Sequence, residues 1–260
     1  MTTIEAPVLA PPTTAVALAA VSKAFGHGHD RVIALDGISL DVRKGEFVCV
    51  AGASGCGKST MLNLIAGLDR PTVGDVHVEG RPALMFQDPA LFPWLSVRDN
   101  VAMPLRLAGV GQAERLRRAG ELLDAVHLGD QGHRQPHELS GGMRQRVALA
   151  RALAQKADIL LMDEPFGALD AMTRDLLHDE LERIWTDTRG ALTIVFVTHN
   201  VREAARLADR IVMLTSRPGR VAAEFDVDIA RPRRIDSREV SSLAADVTDR
   251  LRAEVSRHGR

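Results

Sequence analysis

A glycine-rich stretch with one lysine offers the clearest chemistry in this sequence. It reads GASGCGKST from Gly52 to Thr60 and lies between an apolar run, Phe47 to Ala51, and a stretch with helical spacing, Met61 to Leu68. A strand, a glycine-rich loop and a helix in that order form the context that a phosphate-binding P-loop requires. Glycines let the loop turn backbone N–H groups toward an anion, and the helix adds the positive end of its dipole. The predicted phosphate-binding residues are Gly52, Ala53, Ser54, Gly55, Cys56, Gly57, Lys58, Ser59 and Thr60.

Two side chains of this loop and two carboxylates further along have separate tasks. Lys58 is expected to reach the β- and γ-phosphates of a nucleotide, and the Ser59 hydroxyl is expected to bind Mg²⁺. Asp163 and Glu164 follow an apolar run, Ile159 to Met162, that fits a fully buried parallel strand. At the end of such a strand one carboxylate can bind Mg²⁺, directly or through water, and a second can polarise an attacking water. The guanine-reading pattern Asn-Lys-x-Asp does not occur, which argues against a Ras-type GTPase.

A third stretch has the features of a second phosphate-binding helix end. It reads LSGGMRQR from Leu139 to Arg146, so two glycines follow a serine where a helix is predicted, from Gly141 to Ala154. The first N–H groups of a helix lack partners within the helix and can bind an anion. The chain has one P-loop and two such helix ends. This arrangement indicates that each helix end acts on a different nucleotide.

The composition and charge narrow the class of protein. The chain has 260 residues, so its length suits one large domain or one domain with a small appendage. Its net charge is −1 and its pI about 6.8, so no global field favours nucleic acid. Its two cysteines, Cys49 and Cys56, fall in the predicted strand and the P-loop, which indicates a reducing compartment. There is no secretory signal and no apolar run of about 18 residues, so we expect a cytosolic protein. His27 and His29 lack further ligands and are interpreted as surface residues.

Hydrophobic patterns predict the organisation of the chain. Residues 1–15, rich in Ala, Pro and Thr, are predicted to be a disordered lead. The main domain, residues 16–230, starts with a stretch typical of an edge strand, Val16 to Phe25, and alternation before the P-loop predicts an antiparallel sheet against the core. Strands alternate with helices after the P-loop, which predicts a mostly parallel sheet covered on both faces. One helical pattern extends from Val101 to about Leu128.

Two segments have less direct interpretations. The segment from Asp88 to Asn100 contains prolines and Trp94, and its apolar groups fit a core and a docking surface equally well. Residues 231–260 begin with a proline-containing basic run, predicted to be a linker, and continue as a helix with an apolar stripe. The stripe lacks the Phe and Trp residues that interfacial helices carry. We therefore expect this helix to dock back onto the domain rather than on a membrane surface.

These motifs resemble the ATPase subunits of ATP-binding cassette (ABC) transporters, over roughly Val16 to Arg220. Beside the P-loop, Gln87 stands where the family has its Q-loop, Leu160 to Glu164 resembles the Walker B strand, and His199 resembles the switch histidine. The signature and the D-loop of the family are matched by Ser140, Gly141 and Gly142, and by Ala168 to Asp170. The resemblance implies an α/β fold: a P-loop NTPase core with an antiparallel β subdomain and a helical signature subdomain.

The resemblance also implies how the site works. It implies a homodimer that holds two ATP molecules, each between the P-loop of one subunit and Ser140 of the other. Glu164 would be the catalytic base or water-orienting group, His199 would contact the γ-phosphate, and Gln87 would sense the nucleotide for the segment around Trp94, which faces the membrane partner. The implied catalytic residues are Lys58, Gln87, Glu164 and His199. The implied Mg²⁺ ligands are Ser59, Gln87 and Asp163. The implied nucleotide contacts beyond the P-loop are Phe25, Gln87, Ser140, Gly141, Gly142, Asp163 and Asp170.

The residues around the motifs resemble one subfamily more closely. PHELSGGMRQRVALARAL and VTHNVREAARLADRIVMLTSRPGRV look like importers of nitrate, sulfonates, taurine and related small nutrients. This implies transmembrane permease subunits as partners, a periplasmic or lipid-anchored solute-binding protein acting indirectly, and no nucleic acid. The chain would be cytoplasmic and peripheral on the inner face of the cell membrane. The sequence differs from the usual residues of the family at two positions. Asn200 stands where an aspartate is usual, and Phe25 occupies the place of an aromatic residue, often tyrosine, that stacks on adenine.

Other ATPases share the same motifs. A DNA-repair or chromosome-organising ATPase would need a long coiled coil between its two halves, but only 52 positions separate Gln87 from Leu139 and no heptad run fills them. A translation-associated ATPase of this type carries two cassettes, whereas this sequence carries one. The ATPase of an exporter or of a lipid-transport complex remains the alternative. It is distinguished from an importer only by the resemblance of QDPALFPWLSVRDNV to the importer subfamily.

Overall fold

The computed structural model describes residues 13–167, 169–188 and 190–258, apart from the side chains of His29 and residues 254–258. The strands in chain order are β1 (Thr14–Phe25), β2 (Val32–Arg43), β3 (Phe47–Ala51), β4 (Val73–Val78), β5 (Pro82–Met85), β6 (Ile159–Asp163), β7 (Thr193–Thr198), β8 (Arg210–Leu214) and β9 (Val221–Asp226). The α-helices are α1 (Lys58–Ile65), α2 (Val97–Leu107), α3 (Gln112–Ala125), α4 (Gly141–Leu153), α5 (Ala171–Asp187), α6 (Val201–Leu207) and α7 (Arg238–His258).

The P-loop and the acidic pair belong to a six-stranded sheet with the strand order β5-β6-β7-β3-β8-β9. Its strands pair in parallel except β9, which runs antiparallel to β8. Ala51 lies beside Thr198, and Asp163 lies beside Val197. The carboxyl ends of β3, β6 and β7 therefore meet at one edge of the sheet. The predicted parallel sheet is confirmed, and β9 is a strand that the sequence analysis did not predict.

Both faces of this sheet are buried because successive side chains of a strand point to opposite sides. Val48 and Val50 of β3 pack in one hydrophobic core together with Met61 of α1. Phe47 and Cys49 of the same strand pack in a second, larger core that includes residues of all the other helices. Burial on both faces explains why the central strands read as continuous apolar runs rather than as alternating ones.

A second sheet is antiparallel, as predicted, with three strands in the order β2-β1-β4. It packs on the core that contains α1. The prediction that Val16 to Phe25 forms an edge strand is wrong, because Val16 pairs with Val42 on one side and with Val78 on the other. The second partner, β4, follows α1 in the chain. Such a distant pairing leaves no local signal in the sequence of β1.

The predicted N-terminal lead also differs from the structure at its end. β1 already begins at Thr14, and Ala15 is buried in the core beneath the small sheet. The N–H group of Lys44 donates a hydrogen bond to the carbonyl of Thr13 at 2.8 Å. The ordered domain therefore starts within the segment predicted to be disordered, and residues 1–12 lie outside the described residues.

Helices α2, α3 and α4 pack together on the larger core. The single helix predicted from Val101 to Leu128 is wrong, because α2 ends at Leu107 and α3 begins at Gln112. Gly109 in the turn between them has a φ of +78°, a conformation that favours glycine and ends a helix. The start of α2 is fixed by Ser96, whose hydroxyl accepts a hydrogen bond from the N–H of Asp99 at 3.0 Å.

The C-terminal helix α7 docks onto the domain, as expected. The residues of α7 that join the larger core are Val240, Ala244 and Val247. They pack on the side of the core that contains Ala204 and Ala205 of α6. No helix of the described ranges, α7 included, has the length and apolar character that crossing a bilayer requires.

The basic run before α7, predicted to be a linker, packs into the domain through one of its arginines. The side chain of Arg233 is buried, with 5% of its surface exposed. Its guanidinium donates hydrogen bonds to the carbonyls of Ala208 at 2.5 Å, Ile229 at 2.8 Å and Val227 at 3.0 Å. Burial and the nearby charge of Arg231 lower the pKa of Arg233 to about 10. The last carbonyls of a helix lack partners within it, and in α6 Arg233 donates to those of Ala205 and Arg206, at 3.4 and 3.3 Å, while Arg231 donates to that of Leu207.

Replacing Arg233 by methionine should destabilise the protein, because an apolar side chain of similar length leaves these buried carbonyl groups unpaired. We expect the free energy of unfolding to fall by about 2–4 kcal/mol, measured by urea denaturation. The matched control is Arg234→Met, since Arg234 is 82% exposed and pairs with Asp236 at the surface. This control should lose less than about 0.5 kcal/mol. Equal stability of the two variants would contradict the role of Arg233.

Candidate functional site

The loop between β3 and α1 has the backbone geometry of an anion-binding cradle. Gly55 and Gly57 have φ angles of +77° and +97°, which favour glycine. A Cβ atom on Gly57 would lie 2.8 Å from the carbonyl oxygen of Ala34 and 2.5 Å from Cδ2 of Leu35, so a larger residue does not fit. Gly57 is also the N-cap of α1. The partial positive charge at the start of this helix therefore adds to the N–H groups of the loop.

A cavity of about 480 Å³ opens in front of this loop. Its lining residues come from distant parts of the sequence and are Ala34, Ser54, Gly55, Gly57, Lys58, Ser59, Thr60, Gln87, Glu164 and His199. The ammonium group of Lys58 donates hydrogen bonds to the carbonyls of Gly52 at 2.9 Å and Ala53 at 3.1 Å. It also lies 4.0 Å from Oε1 of Glu164. The predicted lysine and the predicted acidic residue thus share one cavity.

Asp163 and Ser59 form an oxygen-rich pair behind the lysine. Burial raises the pKa of the Asp163 carboxyl group, while a hydrogen bond with Ser59 lowers it. In the described part of the chain no group of three or more His, Cys, Asp or Glu side chains could hold a metal ion by itself. Mg²⁺ is commonly held by one or two side-chain oxygens together with substrate phosphates. The donor set of Ser59 and Asp163 beside the P-loop fits an ion bound in this way.

Glu164, the residue after β6, has a left-handed backbone conformation with a φ of +46°. Such a conformation costs a non-glycine residue about 1–3 kcal/mol, and the surrounding structure must hold it in place. Here the N–H group of Glu164 donates a hydrogen bond to the carbonyl of Val197 on β7 at 3.0 Å. The carboxylate Oε2 lies 3.0 Å from Nδ1 of His199 and 3.5 Å from the amide nitrogen of Gln87. Three predicted residues therefore converge in the cavity.

Asn200, which replaces the usual aspartate, caps a helix in the way that an aspartate would. It is the N-cap of α6, and its side-chain oxygen accepts a hydrogen bond from the N–H group of Arg202 at 3.1 Å. Asparagine and aspartate are about equally good N-cap residues. The helix that follows His199 can therefore begin at the same place with either residue.

Several predicted residues lie outside this cavity. Ser140 is the N-cap of α4, and its hydroxyl accepts a hydrogen bond from a backbone N–H of the first helical turn at 3.2 Å. Gly141 and Gly142 follow it at the exposed start of the helix. Asp170 is the N-cap of α5, and Phe25 is half exposed at the end of β1. Ala168, the first residue of the predicted D-loop, lies outside the described residues.

Cys56 contributes its backbone rather than its thiol to the loop. Its side chain is buried, and burial raises the pKa of the thiol although Lys58 opposes the shift. Its carbonyl oxygen would lie only 2.1 Å from a Cβ atom placed on Gly219. The P-loop therefore packs against the glycine of the turn between β8 and β9, and an uncharged thiol fits this environment.

Two residues around the cavity were missed by the sequence analysis. Ala34 lines the cavity, and its carbonyl accepts a hydrogen bond from the N–H of Gly219 at 2.9 Å. The side-chain amide of Gln145 on α4 donates to the backbone carbonyl of Gln87 at 3.3 Å. Alanine has no chemical group to notice, and Gln145 lies 58 positions from its partner. No signal in the sequence connects either residue to the site.

A larger cavity of about 800 Å³ lies between α3, α4 and α5, but its chemistry is different. Leu122 and Ile184 belong to its mostly apolar walls. Its arginines Arg117 and Arg183 form ion pairs with glutamates on their own helices. None of the described residues that line it is a glycine. Size alone therefore does not identify the site, and the smaller cavity is the candidate.

Comparison with known proteins points to the same family. Residues 35–167 match the model of the ABC transporter family. The chain is 49% identical to the aliphatic sulfonates import ATP-binding protein of Mesorhizobium japonicum, over 91% of this chain and 88% of that protein. It is 50% identical to the taurine import ATP-binding protein of the same organism, over 76% of this chain and 79% of that protein. It is 42% identical to the nitrate import ATP-binding protein of Synechococcus elongatus, over 82% of this chain and 81% of that protein.

Solved structures agree with the fold. A dimeric ATP-binding cassette in a post-hydrolysis state, bound to ADP and phosphate, matches with a TM-score of 0.75 and 34% identity, over 83% of this chain and 100% of that chain. The predicted fold and the predicted family are confirmed by these similarities together with the P-loop geometry. With its P-loop, Glu164 and His199 around one cavity, this chain belongs to the ABC transporter family, as an ATP-binding subunit that hydrolyses ATP.

Proposed function

We propose that this chain is the ATPase subunit of an importer for a small nutrient such as a sulfonate, taurine or nitrate. Relatives named for the import of these compounds are 42–50% identical to it and match most of its length. One observation carries the mechanism: the two phosphate-binding helix ends lie apart on the same chain, α1 at the cavity and α4 outside its lining. A chain built in this way completes its site with a second copy.

Two copies arranged head to tail would bring the start of α4 in each chain opposite the cavity of the other. The exposed N–H groups after Ser140, at Gly141 and Gly142, would then bind the γ-phosphate of an ATP held by the partner. Solved relatives with a TM-score of 0.75 are dimers, which supports this arrangement. Phe25 offers an exposed ring face on which adenine could stack, and Asp170, the N-cap of α5, is a further proposed nucleotide contact.

The ion would be bound by Ser59 and Asp163, with the side chain of Gln87 as a further oxygen ligand. The Ser59 hydroxyl is close enough to Asp163 to lower the pKa of its carboxyl group, which supports this set. Gln87 lines the same cavity. Mg²⁺ would supply charge that neutralises the phosphate oxygens, and the carboxylate would hold it at the edge of the sheet.

Hydrolysis would follow from the positions of Lys58, Glu164 and His199. Lys58 would stabilise negative charge on the β- and γ-phosphates. Glu164 would take a proton from water as the water oxygen bonds to the γ-phosphorus, while the bond from that phosphorus to the bridging oxygen breaks and ADP leaves. His199 lies 3.0 Å from the Glu164 carboxylate, so one ring nitrogen would orient this group while the other contacts the γ-phosphate.

The segment after Gln87 supports a permease contact. Trp94 is 72% exposed, and its ring packs against that of Phe92 with centroids 5.6 Å apart. The buried amide of Asn100 accepts a hydrogen bond from the N–H of Phe92 at 2.8 Å and donates to its carbonyl at 3.1 Å. A rigid, exposed aromatic pair fits an apolar partner surface. Contact with a membrane-spanning permease would make the chain peripheral on the cytoplasmic face, and a solute-binding protein would act through that permease.

Glu164→Gln should keep ATP binding and lose most turnover, because an amide retains the size of the side chain but does not take a proton. We expect kcat to fall at least about 100-fold, with ATP affinity changed less than about threefold. ATP should then trap a dimer that size-exclusion chromatography detects. The control is Glu46→Gln, a buried carboxylate at the opposite end of β3, which should turn over normally. Normal turnover of Glu164→Gln would remove this residue from the proposed role.

Ser140→Arg should leave ATP binding to a single chain unchanged and block the closed dimer, because the added side chain fills the surface that faces the partner's phosphate. ATPase activity should fall at least about tenfold at protein concentrations where the parent chain dimerises. Ser96→Arg is the matched control, since Ser96 caps α2 in the same way. Unchanged activity of Ser140→Arg, at equal stability of both variants, would count against the head-to-tail dimer.

The transport function is tested by capturing the tagged chain from gently solubilised membranes and identifying its partners by mass spectrometry. We expect a multi-span permease, and membrane vesicles containing the complex should take up a labelled sulfonate, taurine or nitrate. Trp94→Glu should lose the permease, whereas Leu107→Glu, a change at another exposed apolar residue, should retain it. Outward transport, or co-purification with nucleic-acid proteins while ATPase activity survives, would refute the importer.

A further inference from the structure

A buried carboxylate lies between the two loops that carry the hydrolytic residues. Glu203, in the first turn of α6, has 5% of its surface exposed. His178 on α5, beside it, is fully buried, and its Nε2 lies 3.2 Å from Oε1 of Glu203. Neither side chain lines the nucleotide cavity. Buried ionisable groups are uncommon and are paired where they occur, so the further contacts of this pair indicate what it holds in place.

One side of Glu203 holds the loop of His199. The hydroxyl of Thr198 donates a hydrogen bond to Oε2 of Glu203 at 2.6 Å. The same hydroxyl accepts a hydrogen bond from the backbone N–H of Asn200 at 3.0 Å. His199 lies between these two residues. The carboxylate therefore fixes the backbone on both sides of the histidine through a single hydroxyl group.

The other side of Glu203 reaches the loop that follows Glu164. The guanidinium Nε of Arg174 lies 3.7 Å from Oε1 of Glu203. Arg174 also donates hydrogen bonds to the carbonyls of Phe166 at 3.3 Å and Leu169 at 2.7 Å. The ring of His178 meets the ring of Phe166 edge to face, with centroids 5.0 Å apart. One carboxylate thus contacts groups that hold the segment between Glu164 and Asp170.

The local interactions favour an ionised carboxylate. Burial raises the pKa of Glu203, but hydrogen bonds from His178 and Thr198 outweigh burial and lower this pKa below its usual value. Within the described residues, Nδ1 of His178 is buried without a hydrogen-bond partner. The nearest acidic group to this nitrogen is Asp175, at 3.8 Å. Apart from this approach to Asp175, the side-chain contacts of the pair described above lead to one or the other of the two loops.

We propose that Glu203 is a positioning residue for ATP hydrolysis, which holds the His199 loop and the loop from Glu164 to Asp170 in one mutual geometry. The proposal rests on the roles proposed above for Glu164 and His199, which lie 3.0 Å apart. Displacement of a reacting group by about 1 Å can cost about 100-fold in rate. Loss of the Glu203 contacts would leave the P-loop and Lys58 untouched. Glu203 therefore should govern kcat and not ATP affinity.

The test compares full-length variants by steady-state ATPase kinetics, by ATP affinity and by thermal unfolding, at a temperature where all of them are folded. Glu203→Leu and Thr198→Val remove the two ends of the same hydrogen bond. Each should lower kcat about 10- to 100-fold while ATP affinity changes less than about threefold. The kcat of the double variant should be no more than about twofold below that of the less active single variant, because both changes break the same hydrogen bond.

Conservative variants and a control separate positioning from stability. Thr198→Ser and Glu203→Gln, which keep a hydroxyl and an acceptor oxygen, should recover most of the kcat. Glu46→Leu removes a carboxylate of similar burial that pairs with Arg210 far from the cavity, and it should lower the unfolding temperature without changing kcat.

Three results would overturn the proposal: wild-type kcat in Thr198→Val, losses that multiply in the double variant, or a weakened ATP affinity that accounts for the whole effect. Glu164→Gln is assayed in parallel. Its activity shows whether a negative result concerns only Glu203 or the proposed mechanism as a whole. If Glu164→Gln hydrolyses ATP normally, the assigned role of Glu164 is wrong. If Glu164→Gln is inactive while Thr198→Val and Glu203→Leu are fully active, only the role of Glu203 is wrong.

Discussion

The register of the parallel sheet is the constraint on which the site depends. Ala51 pairs with Thr198, and Asp163 pairs with Val197, so three strands end at one edge. The P-loop follows β3, Glu164 follows β6 and His199 follows β7. Because side chains alternate along a strand, a shift of one residue would turn Asp163 to the other face of the sheet. Burial of both faces fixes this register, and the hydrophobic cores therefore determine the geometry of a polar cavity.

The polar groups at this edge are held by one another. Lys58 donates to P-loop carbonyls, Ser59 lowers the pKa of the Asp163 carboxyl group, and Glu164 lies between His199 and the amide of Gln87. Buried charges are costly unless each has a partner. The left-handed conformation of Glu164 is part of the same arrangement, since it is held by a backbone hydrogen bond to β7. A strained residue at this place agrees with the tendency of strain to occur at functional sites.

Ser140 and Trp94, through which we propose that the chain meets its partners, have similar surroundings. Both lie on exposed surfaces, each at the end of a segment whose backbone is held rigidly by side-chain hydrogen bonds. Gln87 connects the cavity to α4, because its side chain lines the cavity and its backbone carbonyl accepts a hydrogen bond from Gln145 on that helix. This contact joins the cavity to the helix that begins after Ser140 without passing through the sheet.

By itself the sequence determined the local chemistry: the P-loop, the acidic pair at a strand end, the helix start at Ser140 and the parallel sheet. These features depend on residues close together in the chain, where glycine conformations, helix caps and apolar runs act over a few positions. Only the tertiary structure decided the central place of β1, the buried contacts of Arg233, the separation of Ser140 from the cavity and the connection through Glu203. Each of these depends on groups that are distant in sequence, such as β4 beside β1 or His178 beside Glu203. Local patterns carry no information about which distant groups will meet.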